Sequence, residues 1–146
     1  MSYDAIRTGL EARLIAISDS WPTAWANSGF DPKVSAIDSD GRPVPYQEAF
    51  MLRNTTVAAA AGTAAPNRES GIFQVTVCIP LGWGQSIADD RADAIRAQFP
   101  RGFASLLTPP DQFWIEQTPS VASGLRDEDW WRVPVSIGWV AYVYPP

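Results

Sequence analysis

Hydrophobic residues recur at every second position in two segments of the chain. In the first segment the alternating apolar residues are Phe73, Val75, Val77 and Ile79. The same alternation continues over residues 131–143. Because successive side chains of a strand point to opposite faces, each pattern predicts a half-buried strand. Pro80 ends the first strand, and Pro134 fits inside the second only if its missing N–H faces an edge or a bulge.

Two other segments repeat their hydrophobic residues at spacings of three and four, which predicts amphipathic helices. The N-terminal stripe consists of Tyr3, Ile6, Leu10, Leu14 and Ile17. The second stripe consists of Ala88, Ala92, Ile95 and Phe99. It follows the turn Gly82-Trp83-Gly84, so the sequence predicts a strand, a glycine turn and a helix in succession.

Weaker patterns complete the expected fold. Residues 23–27 are predicted to be extended, Tyr46–Arg53 and residues 113–121 to be strands, and residues 28–45 to be a loop. The Ala-rich part of segment 54–70, residues 58–65, is compatible with either a helical turn or a loop. The expected fold class is α+β, with a mostly antiparallel sheet of about four to five strands and two helices packed on one face. A length of 146 residues predicts a single domain spanning 1–146.

The charge balance narrows the range of partners. The net charge is −5, which disfavours a surface that grips phosphates and so argues against nucleic-acid or anionic-membrane binding. No run of about 18 apolar residues occurs, and the N-terminus does not resemble a signal peptide. We therefore expect a soluble protein made in the cytoplasm.

Residue types needed for common catalytic sites are missing from the sequence. It contains no histidine and a single cysteine, Cys78, so Ser-His-Asp and Cys-His arrangements and the usual zinc clusters are excluded. The Gly82-Trp83-Gly84 turn lacks the third glycine of a dinucleotide-binding loop, because position 87 is Ile. The sequence thus predicts no catalytic residue, no cofactor-binding residue and no metal ligand, and Cys78 is expected to be inert packing.

An acidic run stands beside two tryptophans near the C-terminus. Adjacent carboxylates in a turn favour a solvated connection between strands over a sugar-cleaving pair, which would face each other across a cleft. Exposed tryptophan and arginine are instead typical of protein interfaces. The candidate subunit or partner contacts are Trp83, Arg126, Asp127, Glu128, Asp129 and Trp130.

Two functions of other classes stay open at this point. One is a carbohydrate- or peptide-binding module that uses an exposed Trp83 or Trp130. The other is a hydrolase that uses Asp127 or Asp129.

Several short motifs along the chain resemble those of phage tail terminator proteins. The motifs are Tyr3-Asp4-x-Ile6-Arg7, Trp25-Ala26-Asn27, Gly71-x-Phe73-Gln74-Val75-x-Val77, Pro80-x-Gly82-x-Gly84, Ala92-Asp93-x-Ile95, Phe99-x-x-Gly102 and Trp131-Arg132-Val133-Pro134-Val135-Ser136-Ile137. Together they span nearly the whole chain.

The resemblance implies a structural virion protein that is assembled in the bacterial cytoplasm. Members of that family form a ring, usually a hexamer, that caps the tail tube, stops its polymerisation and joins it to the head connector. Expected partners are therefore further copies of this chain, the tail tube protein and the connector protein, while DNA passes through without specific binding. Residues 54–70 and 122–130 are the candidate contact loops. The alternative function within the same class of structural virion proteins is a head-completion or minor tail role.

Overall fold

A computed structural model describes residues 2–104 and 106–146 of the chain. The described residues form three helices and eight strands. In chain order these are α1 (Ser2–Ile15), β1 (Thr23–Trp25), α2 (Pro32–Ser35), β2 (Tyr46–Arg53), β3 (Val57–Ala58), β4 (Asn67–Pro80), α3 (Ser86–Gln98), β5 (Gln112–Ile115), β6 (Ser120–Val121), β7 (Leu125–Asp127) and β8 (Trp130–Val143).

All eight described strands belong to one mixed sheet. The main path of neighbouring strands is β1-β2-β4-β8-β5. β4 and β8 pair antiparallel from Asn67 opposite Val143 to Pro80 opposite Trp130, and they form the centre of the sheet. β1 runs parallel to β2, while β3 pairs with β4, and β6 and β7 pair with β8.

The expected fold class, a mostly antiparallel sheet of four to five strands with two helices on one face, is wrong. The sheet has eight described strands and is mixed, and a third helix is present in the part of the chain that the structure describes. Strands of two or three residues, such as β3, β6 and β7, are too short to show an alternating pattern. The predicted strand over 113–121 is divided between β5 and β6. The parallel pairing of β1 with β2 depends on a tertiary contact that no local pattern encodes.

Helix α2 lies in the segment that was expected to be a loop. The Asp31 side chain accepts a hydrogen bond from the Lys33 backbone N–H at 3.0 Å, and Pro32 occupies the first helical turn. Asp at the N-cap followed by Pro is a helix-start signal. The helix spans only four residues, so it produces no hydrophobic period.

The main core lies between one face of the sheet and helices α1 and α3. It combines Ile6, Leu10 and Leu14 of α1, the predicted stripe of α3, and the residues of β4 and β8 that point to this face. The alternating residues of β4 are 0–1% exposed. Alternation in β4 and β8 and the three-and-four spacing in α1 and α3 therefore predict the residues that meet in this core.

A second, smaller cluster covers part of the opposite face of the sheet. Ala36, Tyr46 and Cys78 are buried in it, and Phe30 and Trp130 pack against it. Tyr46 stacks on Phe30 with ring centroids 5.2 Å apart and meets the edge of Trp130 at 4.8 Å. The segment between β1 and β2 thus folds back over one end of the sheet.

Two positions in the central strands depend on unusual backbone features. A Cβ on Gly71 would lie 2.4 Å from the Leu52 backbone oxygen and 2.9 Å from the Trp139 ring, so only glycine fits there. The Pro134 carbonyl accepts a hydrogen bond from the Ala122 N–H at 2.9 Å. Since both polar groups of a strand residue point the same way, the missing donor of Pro134 faces the break between β6 and β7.

Candidate functional site

The glycine turn after β4 presents Trp83 to solvent. Gly82 and Gly84 have φ values of 88° and 86°, a region that glycine adopts without steric cost. The Trp83 N–H donates to the Pro80 carbonyl at 3.3 Å, and the Trp83 side chain is 45% exposed. An indole this exposed does not contribute to the core, so its area is available for a contact.

The acidic run forms the turn between β7 and β8. Asp127 pairs with Trp130, which leaves Glu128 and Asp129 as the turn residues, and Glu128 has a φ of 55°. Residues 126–129 are all exposed. The carboxylates of Asp127, Glu128 and Asp129 follow one another in a single turn, whereas sugar cleavage needs two carboxylates that face each other across a cleft.

The structure brings these two predicted features together. The Leu81 N–H donates to the Asp129 carbonyl at 3.1 Å, which joins the glycine turn to the β7–β8 turn. All six candidate contact residues therefore lie at one end of the sheet, where β4 and β8 meet. We call this surface, formed by Trp83 and residues 126–130, the acidic end.

Trp130 and Trp131 differ in their surroundings. Trp130 is half-buried against Tyr46, on the face that carries the smaller cluster. Trp131 packs against the main core, and a Cβ on Gly124 would lie 2.3 Å from its ring. Trp130 is therefore only partly available for a contact, whereas Trp83 is more accessible.

A cleft of about 360 Å³ lies beside the acidic end, between the β7–β8 turn and the segment around α2. Trp130 and Tyr46 supply its aromatic surface. The charged residues in its lining are Asp31, Lys33, Asp127, Glu128, Asp129 and Arg132. Four of these six carry negative charge, so the cleft suits a cationic group better than an anionic one.

Arg132 at this cleft was not singled out from the sequence. Its side chain forms an ion pair with Glu48 across the sheet, and its Nε lies 3.8 Å from Asp127 Oδ2. Its alternating position in β8 places it on the face opposite the main core, and that position was the signal that could have identified it. The pairs with Glu48 and Asp127 connect β2, β8 and the β7–β8 turn.

The titratable groups buried near this cleft are held in their neutral forms. Burial raises the pKa of the Cys78 thiol to about 12, and burial also raises the pKa of Tyr46. The thiolate is the nucleophilic form of cysteine, so a thiol with such a pKa is unreactive at neutral pH. Within residues 2–104 and 106–146, no group of three His, Cys, Asp or Glu residues could hold a metal ion.

No helix among the described residues is long and apolar enough to cross a membrane.

A family model and a solved structure are similar to this chain over most of its length. A family model described as "Phage tail terminator protein" matches residues 5–139. A solved structure that is similar to this chain is 26% identical to it, with a TM-score of 0.74, and the match covers 100% of this chain and 99% of that one. No curated protein matches the sequence.

Proposed function

Because this chain belongs to the phage tail terminator family, we propose that it closes the end of a phage tail tube as a ring of six identical subunits. The family is structural, which makes the chain a structural component of the virion. In the proposed role the ring stops polymerisation of the tube and joins it to the connector on the head side. The observation that carries this proposal is the family match, which runs from α1 to the middle of β8.

The proposed subunit contacts include the hairpin arm between β2 and β4, residues 54–66. No charged residue occurs between Arg53 and Arg68, and Val57 in this arm is 53% exposed. An exposed, uncharged segment is better suited to an interface core than to a solvated loop. We assign this arm, the uncharged part of segment 54–70, to contacts with a neighbouring subunit or with the tube.

We assign the acidic end to a partner protein, either the tube protein or the connector. Trp83 supplies exposed aromatic area, and the three carboxylates beside it favour a partner surface that carries arginine or lysine. The net charge of −5 agrees with a ring through which DNA passes without being bound.

The acidic end can be tested by polymerising the tail tube protein of the same phage in the presence of this chain. The double variant Glu128→Lys, Asp129→Lys should form rings of unchanged mass but no longer shorten the tubes. The matched control is Asp90→Lys, Asp93→Lys, which makes the same change in net charge at exposed positions of α3. If both variants cap tubes equally well, the acidic end does not form the contact. A wild-type chain that has no effect on tube length would contradict the proposed role.

A binding module for carbohydrate or peptide is the second candidate function. The exposure of Trp83 and the aromatic residues of the neighbouring cleft favour it. Ligands that stack on Trp83 should quench tryptophan fluorescence, and Trp83→Ala should abolish that quenching. Absence of quenching by a panel of glycans and cationic peptides would count against this candidate.

A further inference from the structure

Strand β2 has an unpaired outer edge over half of its length. β1 pairs only with Gln47–Ala49, and no described strand pairs with the outer side of residues 50–53. The Asn54 N–H donates to the Ser70 carbonyl on β4, whereas the Gln47 N–H donates outward to the Pro22 carbonyl. Because polar groups alternate in direction along a strand, Met51 and Arg53 present their N–H and C=O groups to the outside.

Strand β6 supplies an unpaired edge on the opposite side of the sheet. The Ala122 N–H donates inward to the Pro134 carbonyl at 2.9 Å, so the polar groups of Val121 point outward. In the described part of the chain, β6 pairs only with β8. Val121 is 40% exposed, and Leu52 beside the β2 edge is 49% exposed.

The two edges are offset by two residues along the strands. The cross-strand row through Val121 crosses Val135 and Val75 and ends at Ala49, which β1 covers, and Met51 lies two residues further along β2. β6 is antiparallel to β8, and β8 runs in the same direction as β2, so β6 and β2 are antiparallel. A second copy placed beside the first and shifted by two residues along the strands brings its Val121 opposite Met51 in antiparallel orientation, where the polar groups of both residues point toward each other.

We propose, on the basis of the proposed ring, that the β2 edge at residues 50–53 pairs with the β6 edge of the neighbouring subunit. The sheet would then continue from one subunit to the next. The occupant of the edge is a second copy because each copy carries both edges, on opposite sides of its sheet and in antiparallel orientation. A contact between two different surfaces repeats around a ring and leaves no edge unpaired when the ring closes. Exposed apolar side chains beside both edges would become buried in the same contact.

Proline substitution tests the backbone contacts directly, because proline removes an N–H. Arg53→Pro and Val121→Pro remove outward donors, while Arg53→Ala and Val121→Ala lose the same side chains and keep those donors. Both alanine variants should form rings. Each proline variant should be a folded monomer by circular dichroism and light scattering, with association weakened at least about tenfold, as expected for the loss of one or more interface hydrogen bonds.

Mixing the two proline variants gives the sharpest result. Arg53→Pro retains an intact β6 edge and Val121→Pro an intact β2 edge, so an equimolar mixture should form heterodimers that do not grow further. Rings formed by either proline variant alone would overturn the edge contact while leaving the proposed ring in place. A wild-type chain that stays monomeric at all concentrations would overturn both.

Amide hydrogen exchange on the assembled wild-type protein provides a test that does not depend on the folding of a variant. The amides of Met51, Arg53 and Val121 should be protected in the ring, as amides in a paired strand are. Rapid exchange of these three amides in the assembled protein would overturn the proposed contact.

Discussion

Arg91 is the charged residue whose environment departs most from what the sequence suggests. It is 4% exposed, and its Nε and Nη2 donate to Gln47 Oε1 at 3.1 and 3.0 Å. Its Nη1 donates to the Asp19 carbonyl at 2.6 Å, and the guanidinium lies 4.7 Å from the centre of the Trp21 ring. Burial lowers the pKa of Arg91. Arg91 therefore fastens α3 to β2 and to the connection that follows α1.

Arg91→Ala should destabilise the protein by about 3 kcal/mol, because the buried acceptor on Gln47 and the part-buried carbonyl of Asp19 lose their donor. The control is Arg96→Ala, an exposed residue of the same helix, which should change stability by less than about 0.5 kcal/mol. Urea unfolding measures both values. Equal effects of the two substitutions would show that the Arg91 contacts do not hold the elements together.

The free energy of unfolding should fall as the pH becomes alkaline, because of Cys78. Its pKa is raised from 9.0 to about 12 in the folded state, mainly by burial, so its contribution is complete below pH 9 and is lost as pH rises from 9 to 12. Over that range the free energy of unfolding should fall by up to about 1.4 kcal/mol per pH unit for this one group. Tyr46 adds a similar decline that begins near pH 10.

Unfolding of the wild type and of Cys78→Ala at pH 8, 9 and 10 separates the two groups. The variant should lack the decline between pH 9 and 10 that the wild type shows. Identical slopes would mean that the thiol titrates normally in the folded protein. The folded wild type should also resist a thiol reagent at pH 8 and react once it is unfolded.

At the residue scale, the sequence pattern identifies buried residues correctly only where their side chains are apolar. The stripe of α3 was predicted correctly because its four residues are hydrophobic and regularly spaced. Arg91 was not predicted, because an arginine between apolar positions normally lies at the solvent boundary. Its burial depends on acceptors supplied by Gln47 and Asp19, which are far away in the sequence, and no local pattern reports such partners.

At the scale of elements, the segment between β1 and β2 is held on the sheet by few contacts. Phe30 stacks on Tyr46, and Ala36, which follows α2, is buried in the same small cluster. Segments with few buried apolar contacts open more readily than the core. This segment is therefore the part of the fold whose attachment depends most on single side chains.

Phe30→Ala should lower stability by about 2 kcal/mol and make residues 27–44 more accessible to protease, because a half-buried aromatic contact is lost. Val34→Ala is the control, since Val34 lies in the same segment and is 70% exposed. Limited proteolysis with mass mapping detects the difference. Unchanged cleavage in Phe30→Ala would show that other contacts hold the segment.

Prediction of the elements succeeded where a segment was long enough to show a period. β2 has the predicted bounds, Tyr46–Arg53, and β4 and β8 contain both alternating segments. The predicted strand over 113–121 was wrong in its middle, which lies between β5 and β6. β8 presents one long edge, and three short strands cover it in turn, an arrangement set by tertiary contacts rather than by propensity.

For the whole molecule, the sequence predicted the family, and the match over residues 5–139 confirms it. The geometry of the acidic end could not be predicted. The sequence places Trp83 and residues 126–130 in different segments. The pairing of Pro80 with Trp130 and the hydrogen bond from the Leu81 N–H to the Asp129 carbonyl show that the two turns meet. The unpaired edges of β2 and β6 likewise become visible only with the register of the complete sheet.

Electron microscopy of tail tubes assembled in the presence of this chain tests the proposed capping ring without relying on any variant. We expect a ring of six subunits at one end of each tube, with sheet density continuous between neighbouring subunits. Tubes of unlimited length without terminal density, together with a chain that sediments as a monomer, would contradict the proposed ring.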